Sequence, residues 1–340
     1  MGVDLGDLIE KQEIELEDLR GKKIAIDALN AIYQFLSIIR QPDGTPLIDS
    51  NKNITSHLSG LFYRTTRLME IGIIPCYVFD GEPPKLKSAT VEERKEIRRE
   101  AEKKWKAALE AGELAEARKY AQAASRVTES MLEESKKLLN ALGIPVVQAP
   151  SEGEAQAAYI CQQGDVYSVG SQDYDALLFG APRLLRNITI TGKRKVPRKN
   201  IYVEVKPEMI ELDSAIKEIE VTREQLIEMG ILIGTDFNEG VKGIGPKKSL
   251  AHIKEKSLKE WIKEGKFEFE VDVEVLKKIF LKPEITKNYS LNWQPYDQEK
   301  LIEILHEKHD FSKERIENAL EKLEKSRGAK DQKSLQEWFR

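Results

Sequence analysis

The chain has 340 residues, with 54 Lys and Arg against 58 Asp and Glu and a net charge of −4. That length supports one large α/β body or two modest ones with a sizeable core. No apolar stretch reaches the roughly 20 residues that span a bilayer and no secretion-signal core opens the chain, so a membrane partner is excluded and a cytoplasmic protein expected.

In chain order, Ile24-Ala25-Ile26-Asp27 and Pro75-Cys76-Tyr77-Val78-Phe79-Asp80 read as buried parallel strands, each ending in an acid. Residues 30–40 and 54–71 read as helices, the second carrying Leu58, Leu61, Phe62 and Leu68 at helical spacing. Residues 92–142 are almost wholly helix-forming with a break near Gly112, an insertion far longer than an ordinary βα connection. Strands are predicted at 143–147, 166–170, 183–190 and 200–205, with Thr191-Gly192 turning between the last two. Ser151-Glu152-Gly153-Glu154 has the spacing of a capping box for a helix through Gln163. The last third is mainly helical, at 222–233, 246–253, 258–264, 273–280, 298–309 and 313–327. Cys76 and Cys161 lie in apolar surroundings and read as reduced core residues.

Seven acids stand out: Asp27, Asp80, Glu152 with Glu154, Asp173 with Asp175, and Asp236. The carboxyl ends of parallel strands face the ligand crevice of an open α/β sheet, so these acids can converge there. Gathered like charges repel and raise one another's pKa unless cations neutralise them. Mg²⁺ takes oxygen ligands and needs only one or two direct carboxylates, so seven acids suffice for two ions with an outer shell, and Mn²⁺ can substitute. Two such ions suit in-line displacement at a phosphodiester. Taken singly, each acid reads as a cap, a loop or a strand end; it is the joint pattern that points to metal.

Basic residues are segregated from these acids. From Lys85 to Lys106 there are nine Lys or Arg against five Glu, and 193–199 holds five basic residues in seven, which suits a protein gripping phosphates around a metal centre. Gly243-Ile244-Gly245-Pro246-Lys247-Lys248 opens a helix: the proline fits the first turn and the glycines let backbone N–H groups approach a phosphate. The tail Gln332-Lys333-Ser334-Leu335-Gln336-Glu337-Trp338-Phe339 puts Leu335, Trp338 and Phe339 on one face of a helical turn.

Met1-Gly2-Val3-Asp4-Leu5, Ile26-Asp27-Ala28, Phe79-Asp80-Gly81-Glu82-Pro83-Pro84, Ser151-Glu152-Gly153-Glu154-Ala155 and Gly243-Ile244-Gly245-Pro246-Lys247 closely resemble the flap endonuclease family of structure-specific 5′ nucleases, the archaeal members above all. The resemblance implies an α/β fold with a mostly parallel central sheet flanked by helices. It implies a helical arch insertion at 85–142 and a helical DNA-binding region at 237–327, in a single body over 1–327 with nuclease regions at 1–84 and 143–236. It implies Mg²⁺-dependent cleavage near the base of 5′ flaps, with 5′ to 3′ exonuclease activity alongside, in replication and repair. Lys87 and Arg94 correspond to basic residues at the scissile phosphate, and Tyr33 to an aromatic on which a base stacks. DNA contacts are implied for Gly2, Arg40, Thr55 and Arg64, and for Gly243, Gly245, Lys247 and Lys248, whose turn can take a monovalent cation. Residues 328–340 resemble a mobile tail for a sliding clamp of the proliferating-cell-nuclear-antigen type, through Gln332, Leu335, Trp338 and Phe339. A monomer is expected. The rival readings are a bubble, junction or gap nuclease of the same superfamily and a non-catalytic, clamp-tethered scaffold, which would gain nothing from seven acids facing phosphates.

Overall fold

The computed structural model describes residues 2–189, 193–195 and 202–338. Its strands are β1 (Gln12–Glu13), β2 (Lys23–Asp27), β3 (Ile74–Phe79), β4 (Val146–Gln148), β5 (Ser168–Gly170), β6 (Arg183–Arg186), β7 (Lys193–Lys195), β8 (Tyr202–Glu204) and β9 (Glu208–Glu211). Seven make one sheet in the order β1-β9-β6-β5-β2-β3-β4, and β7 pairs with β8 separately. The five strands from β4 to β6 are parallel, while β9 and β1 close one edge antiparallel. The chain lays β3 and β4 on one side of β2 and then returns to lay β5 and β6 on the other. This reversal puts the switch point between β2 and β5, where such sheets open a crevice.

Alternation along the strands divides the core between the two faces. Ala25, Cys76, Val78 and Val169 join one buried cluster, whereas Ile24, Ile26, Tyr77 and Phe79 join the other. The second face is covered by α1 (Ala28–Ile38) and α2 (Ser56–Ile71), which pack together. A Cβ on Gly60 of α2 would lie 2.2 Å from Phe35 Cγ of α1, so only glycine lets the two helices approach this closely. Next, α3 (Ser88–Glu110) and α4 (Leu114–Ala123) form the two arms of the insertion, turning at Gly112 with φ +74°, and α5 (Glu129–Ala141) returns the chain to β4. The other face receives α6 (Gly153–Gln162), the short α7 (Asp175–Leu178), α8 (Leu212–Glu218) and α9 (Arg223–Ile233). Beyond these lie α10 (Pro246–Glu255), α11 (Leu258–Lys263), α12 (Val273–Leu281), α13 (Gln298–Ile302), a π turn over Glu303–Glu307, and α14 (Lys313–Trp338).

An irregular strap over 283–297 ties the end of the chain to its beginning. Trp293 Nε1 donates to Pro75 O at 2.7 Å, Gln294 N to Gly143 O at 2.9 Å and Asp297 N to Ala141 O at 2.7 Å. A Cβ on Gly143, which has φ +72°, would stand 2.0 Å from Gln294 O. Past α13 and the π turn the chain enters α14, whose Ile316 and Leu320 share the buried cluster of α2.

Most predicted elements appear within two or three residues of their predicted bounds. The strand predicted over 183–190 stops at Arg186 because Asn187 adopts φ +63°, incompatible with a ladder. The helix predicted over 298–309 is interrupted by the π turn. α14 runs on to Trp338, past Gly328, through residues expected as a detached tail; one glycine costs a helix only about 1 kcal/mol and the rest of that segment is helix-forming. Phe339, the Thr191-Gly192 turn and the basic residues Arg198 and Lys199 lie outside the described residues. Among the described residues no helix is long and apolar enough to cross a membrane.

Gly60→Ala is expected to lower stability by about 1–3 kcal/mol through overpacking against Phe35. Chemical denaturation at equilibrium checks this, and an unchanged midpoint would mean that the α1–α2 contact yields without strain.

Candidate metal centre and nucleic-acid interface

All seven acids come to the carboxyl edge of the parallel strands. Asp27 ends β2 and caps α1, its Oδ1 accepting from Asn30 N at 3.0 Å. Asp80 follows β3, and its Oδ1 accepts from Gly153 N at 2.6 Å. Glu152 and Glu154 open α6 after β4, with Glu154 Oε1 accepting from Ser171 Oγ at 2.7 Å. After β5, Asp173 Oδ2 accepts from Asn30 Nδ2 at 3.1 Å, and Asp175 Oδ1 from Val3 N at 2.7 Å. Asp236 follows α9 and pairs with Arg94.

The capping box predicted at Ser151 does not form. Glu152 occupies the N-cap position without a side-chain capping bond, and the Gly153 amide goes to Asp80 instead. Glycine is needed there, since a Cβ on Gly153 would stand 2.6 Å from that same oxygen. Gly2 is similarly confined: its Cβ would lie 2.6–2.8 Å from the Asp175 carboxyl atoms.

Electrostatics records the crowding. Burial first, and then the Asp80 charge, push the Asp27 pKa well above the carboxylate range. Burial followed by Asp175, Asp173 and Asp27 does the same to Glu154. Asp175 is raised to about 7 by burial and by Asp236, and burial also raises Asp80 and Glu152. Asp236 is the exception: burial works against its charge, but Lys87 and Arg94 outweigh it and lower its pKa.

Two arms of positive charge enter this cluster from the foot of the insertion. Lys87 Nζ lies 2.7 Å from Glu152 Oε2 and 3.2 Å from Asp236 Oδ2, and Arg94 Nη2 reaches Asp236 Oδ1. Burial disfavours the Lys87 ammonium, but Glu152 and Asp236 more than offset it and raise its pKa. Among the described residues no three acids close around one point at metal-ligand spacing. The donor set nevertheless fits Mg²⁺: every ligating atom is a hard carboxylate oxygen, and most of the groups are destabilised as anions for want of positive charge.

Tyr33 sits half-buried on α1 beside the arch rather than in the core. Its hydroxyl donates to Ser125 O at 3.1 Å, and the Arg98 guanidinium lies 4.9 Å from its ring centre. Arg40, for which a DNA contact is expected, donates from Nε to Leu36 O, from Nη1 to Gly44 O and from Nη2 to Ser125 Oγ at 2.8 Å, and so ties the end of the arch to the turn after α1. Thr55 is buried, only 4 % exposed, and Arg64 is half-buried on α2. Away from the acids, Gly243 adopts φ +81° and Gly245 caps α10 ahead of Pro246, with open space around both glycines. Lys248 Nζ donates to Gly243 O at 2.8 Å, so a cation of the chain itself already occupies this turn. Gln332, Leu335 and Trp338 fall on the last turns of α14. Sequence reasoning missed Asn30, which joins Asp27 to Asp173, and Ser171, which holds Glu154. The spacing Asp27-x-x-Asn30 was the available signal for the first; Ser171 gave none.

Residues 1–101, which include the first half of α3, match the XPG N-terminal domain, and residues 143–236 match the XPG I-region. Flap endonuclease 1 of Pyrococcus furiosus is 58% identical over 341 residues, covering 100% of both chains. The chain belongs to the flap endonuclease family. Flap endonuclease 1 of Archaeoglobus fulgidus is 56% identical over 345 residues, again covering 100% of both. The solved flap endonuclease-1 from Methanococcus jannaschii superposes with a TM-score of 0.76 at 43% identity, over 97% of this chain and 100% of that one. The catalytic core of Rad2, in complex with DNA substrate, gives 0.68 at 26% identity, over 92% and 96%. As a flap endonuclease, the protein is a structure-specific nuclease that hydrolyses phosphodiester bonds at 5′ flaps, with the replication, repair and metal dependence that follow from the family.

The raised pKa values carry a sign. A carboxyl whose folded-state pKa lies above its ordinary 3.8 contributes stability that is complete below that value and lost as pH rises through the folded one, about 7 for Asp175. With EDTA present, Tm is therefore expected to fall between about pH 5 and about pH 8, and Asp175→Asn to flatten the slope. Scanning calorimetry at several pH values checks this; a Tm rising with pH would refute it.

Proposed function

We propose that the seven carboxylates hold two divalent ions, Mg²⁺ or Mn²⁺, and that Lys87 and Arg94 carry positive charge to the phosphate that is cut. The observation that carries this reading is the convergence of all seven acids on the switch-point edge, with two cations of the arch already among them. Bound there, the ions would activate water and offset the charge gathering on the phosphate. The chain's own part is orientation. The Gly153 and Val3 amides fix Asp80 and Asp175, Ser171 fixes Glu154, and Asn30 keeps the ends of β2 and β5 in register. Lys87 and Arg94 then exchange carboxylate partners for phosphate oxygens, where fixed cations stabilise developing charge without reorganising.

Duplex binding is assigned to the Gly243–Lys248 turn, where backbone N–H groups at the start of α10 and Lys247 grip phosphates without reading sequence. A monovalent cation there would take the place of Lys248 on the Gly243 carbonyl. Tyr33 offers its ring to a base near the cut, and Arg64 and the Thr55 backbone lie toward the 3′ side. The end of α14 docks on a sliding clamp through Gln332, Leu335, Trp338 and Phe339, and the enzyme acts as a monomer.

Asp80→Asn and Asp175→Asn are each expected to abolish cleavage of a labelled double-flap substrate in Mg²⁺ while leaving binding within a few-fold of the parent. Near-normal cleavage by either variant would sink the metal assignment.

Lys87→Ala and Arg94→Ala should slow the single-turnover step about a hundredfold or more with little change in affinity. Lys247→Ala combined with Lys248→Ala should instead weaken duplex binding and flatten its salt dependence. Equal effects of both pairs on binding and on the chemical step would show that the two regions are not divided in this way.

Deleting residues 332–340 should leave cleavage of a free flap nearly unchanged and remove stimulation by a trimeric clamp. Phe339→Ala alone should cost about 2 kcal/mol in clamp affinity. A titration against the clamp decides it: undiminished affinity of the truncated chain would place the contact elsewhere.

A further inference from the structure

One face of α12 is not explained by the fold. Val273, Leu276, Lys277 and Phe280 point into the core, yet Val275, Lys278 and Ile279, with Lys282 at the C-cap, follow one another at helical spacing along a second stripe. That stripe lines a cleft of about 240 Å³ whose opposite wall includes Pro84 at the foot of the arch and Glu152 of the acid cluster. Val275 is 46 % exposed and neighbouring Leu281 38 %, so two of the six large apolar side chains exposed among the described residues lie on this short helix.

The chemistry selects an occupant. Two ammonium groups a turn apart supply the positive charge that tracks a single strand without reading sequence, and the aliphatic floor gives a base an apolar face to lie on. Continuity fixes which strand: Glu152 belongs to both the cleft and the acid cluster, so whatever fills the one lies next to the bond cut in the other. Glu152 is paired with Lys87, whereas Glu284, also on the rim, works against a phosphate. We propose that this cleft is a subsite for a nucleotide of the 5′ single-stranded flap, its phosphate between Lys278 and Lys282 and its base against Val275 and Ile279. The inference rests on the acid cluster being the place of cleavage.

Two substrates separate the possibilities: a duplex with a 5′ flap of several nucleotides, and the same duplex with a nick and no flap, both cut in Mg²⁺. For Lys278→Ala with Lys282→Ala, KM for the flap substrate should rise roughly three- to tenfold at unchanged kcat, with KM for the nick unaltered. Glu284→Gln should lower the flap KM. All three side chains lie on the surface, and an unchanged Tm confirms that the variants fold. Equal losses on flap and nick would overturn the subsite in favour of general attraction to DNA. Unchanged kinetics on both would overturn it in favour of a protein partner or a solvated face. If the parent enzyme cuts neither substrate, the cleavage-site reading fails first and this inference falls with it.

Discussion

Repulsion among buried carboxylates is the constraint on which the rest of this structure depends. Two unit charges about 4 Å apart in a protein-like medium repel by about 4 kcal/mol, a large part of the 5–15 kcal/mol by which a domain is stable. Seven such groups can share one edge only if positive charge is supplied throughout. The fold supplies it in two layers: the Gly153 and Val3 amides, which donate to Asp80 and Asp175, and Lys87 and Arg94 at the foot of the arch, which pair with Glu152 and Asp236. Each buried charge so paired escapes part of the cost of leaving water.

The helix α1 links that cluster to the arch. Asn30, Tyr33 and Ser37 recur at spacings of three and four on one stripe of the helix, and Arg40 follows just past its C-cap. Asn30 reaches Asp173 at one end, while Tyr33, Ser37 and Arg40 all contact Ser125, just after α4, at the other. Asp27 caps the same helix. Because one helix is tied both to the acids and to the end of the arch, the arch is held at a fixed place relative to the acid cluster.

Much of this was legible in the sequence because it is local. Apolar runs ending in Asp27 and Asp80 fix both a buried strand and an acid at its carboxyl end, and Gly243-Ile244-Gly245-Pro246 announces its own helix. What stayed hidden depends on partners far along the chain. Ser151 has the spacing of a cap, but the helix starts one residue later, at Gly153, whose amide goes to Asp80, 73 residues away. Arg40 looks like a surface cation until Gly44 and Ser125 take its donors. Strands of two and four residues, such as β1 and β9, are too short for periodicity to register, and the positive φ at Asn187 that ends β6 carries no signal in composition.

The strap over 283–297 bears on how such an enzyme is made. Its bonds to Pro75, Ala141 and Gly143, and the packing of α14 on α2, mean that the strands presenting the acids are sealed by segments synthesised well after them. The end of the strap at Asp297 comes 61 residues after Asp236, about 3 to 12 s at common rates of translation. During that interval the nascent sheet lacks its closing strap and the final cover over α2. The order of the sequence is thus also an order of assembly: the strands that present the acids are laid down first and closed in by contacts that come far later in the chain.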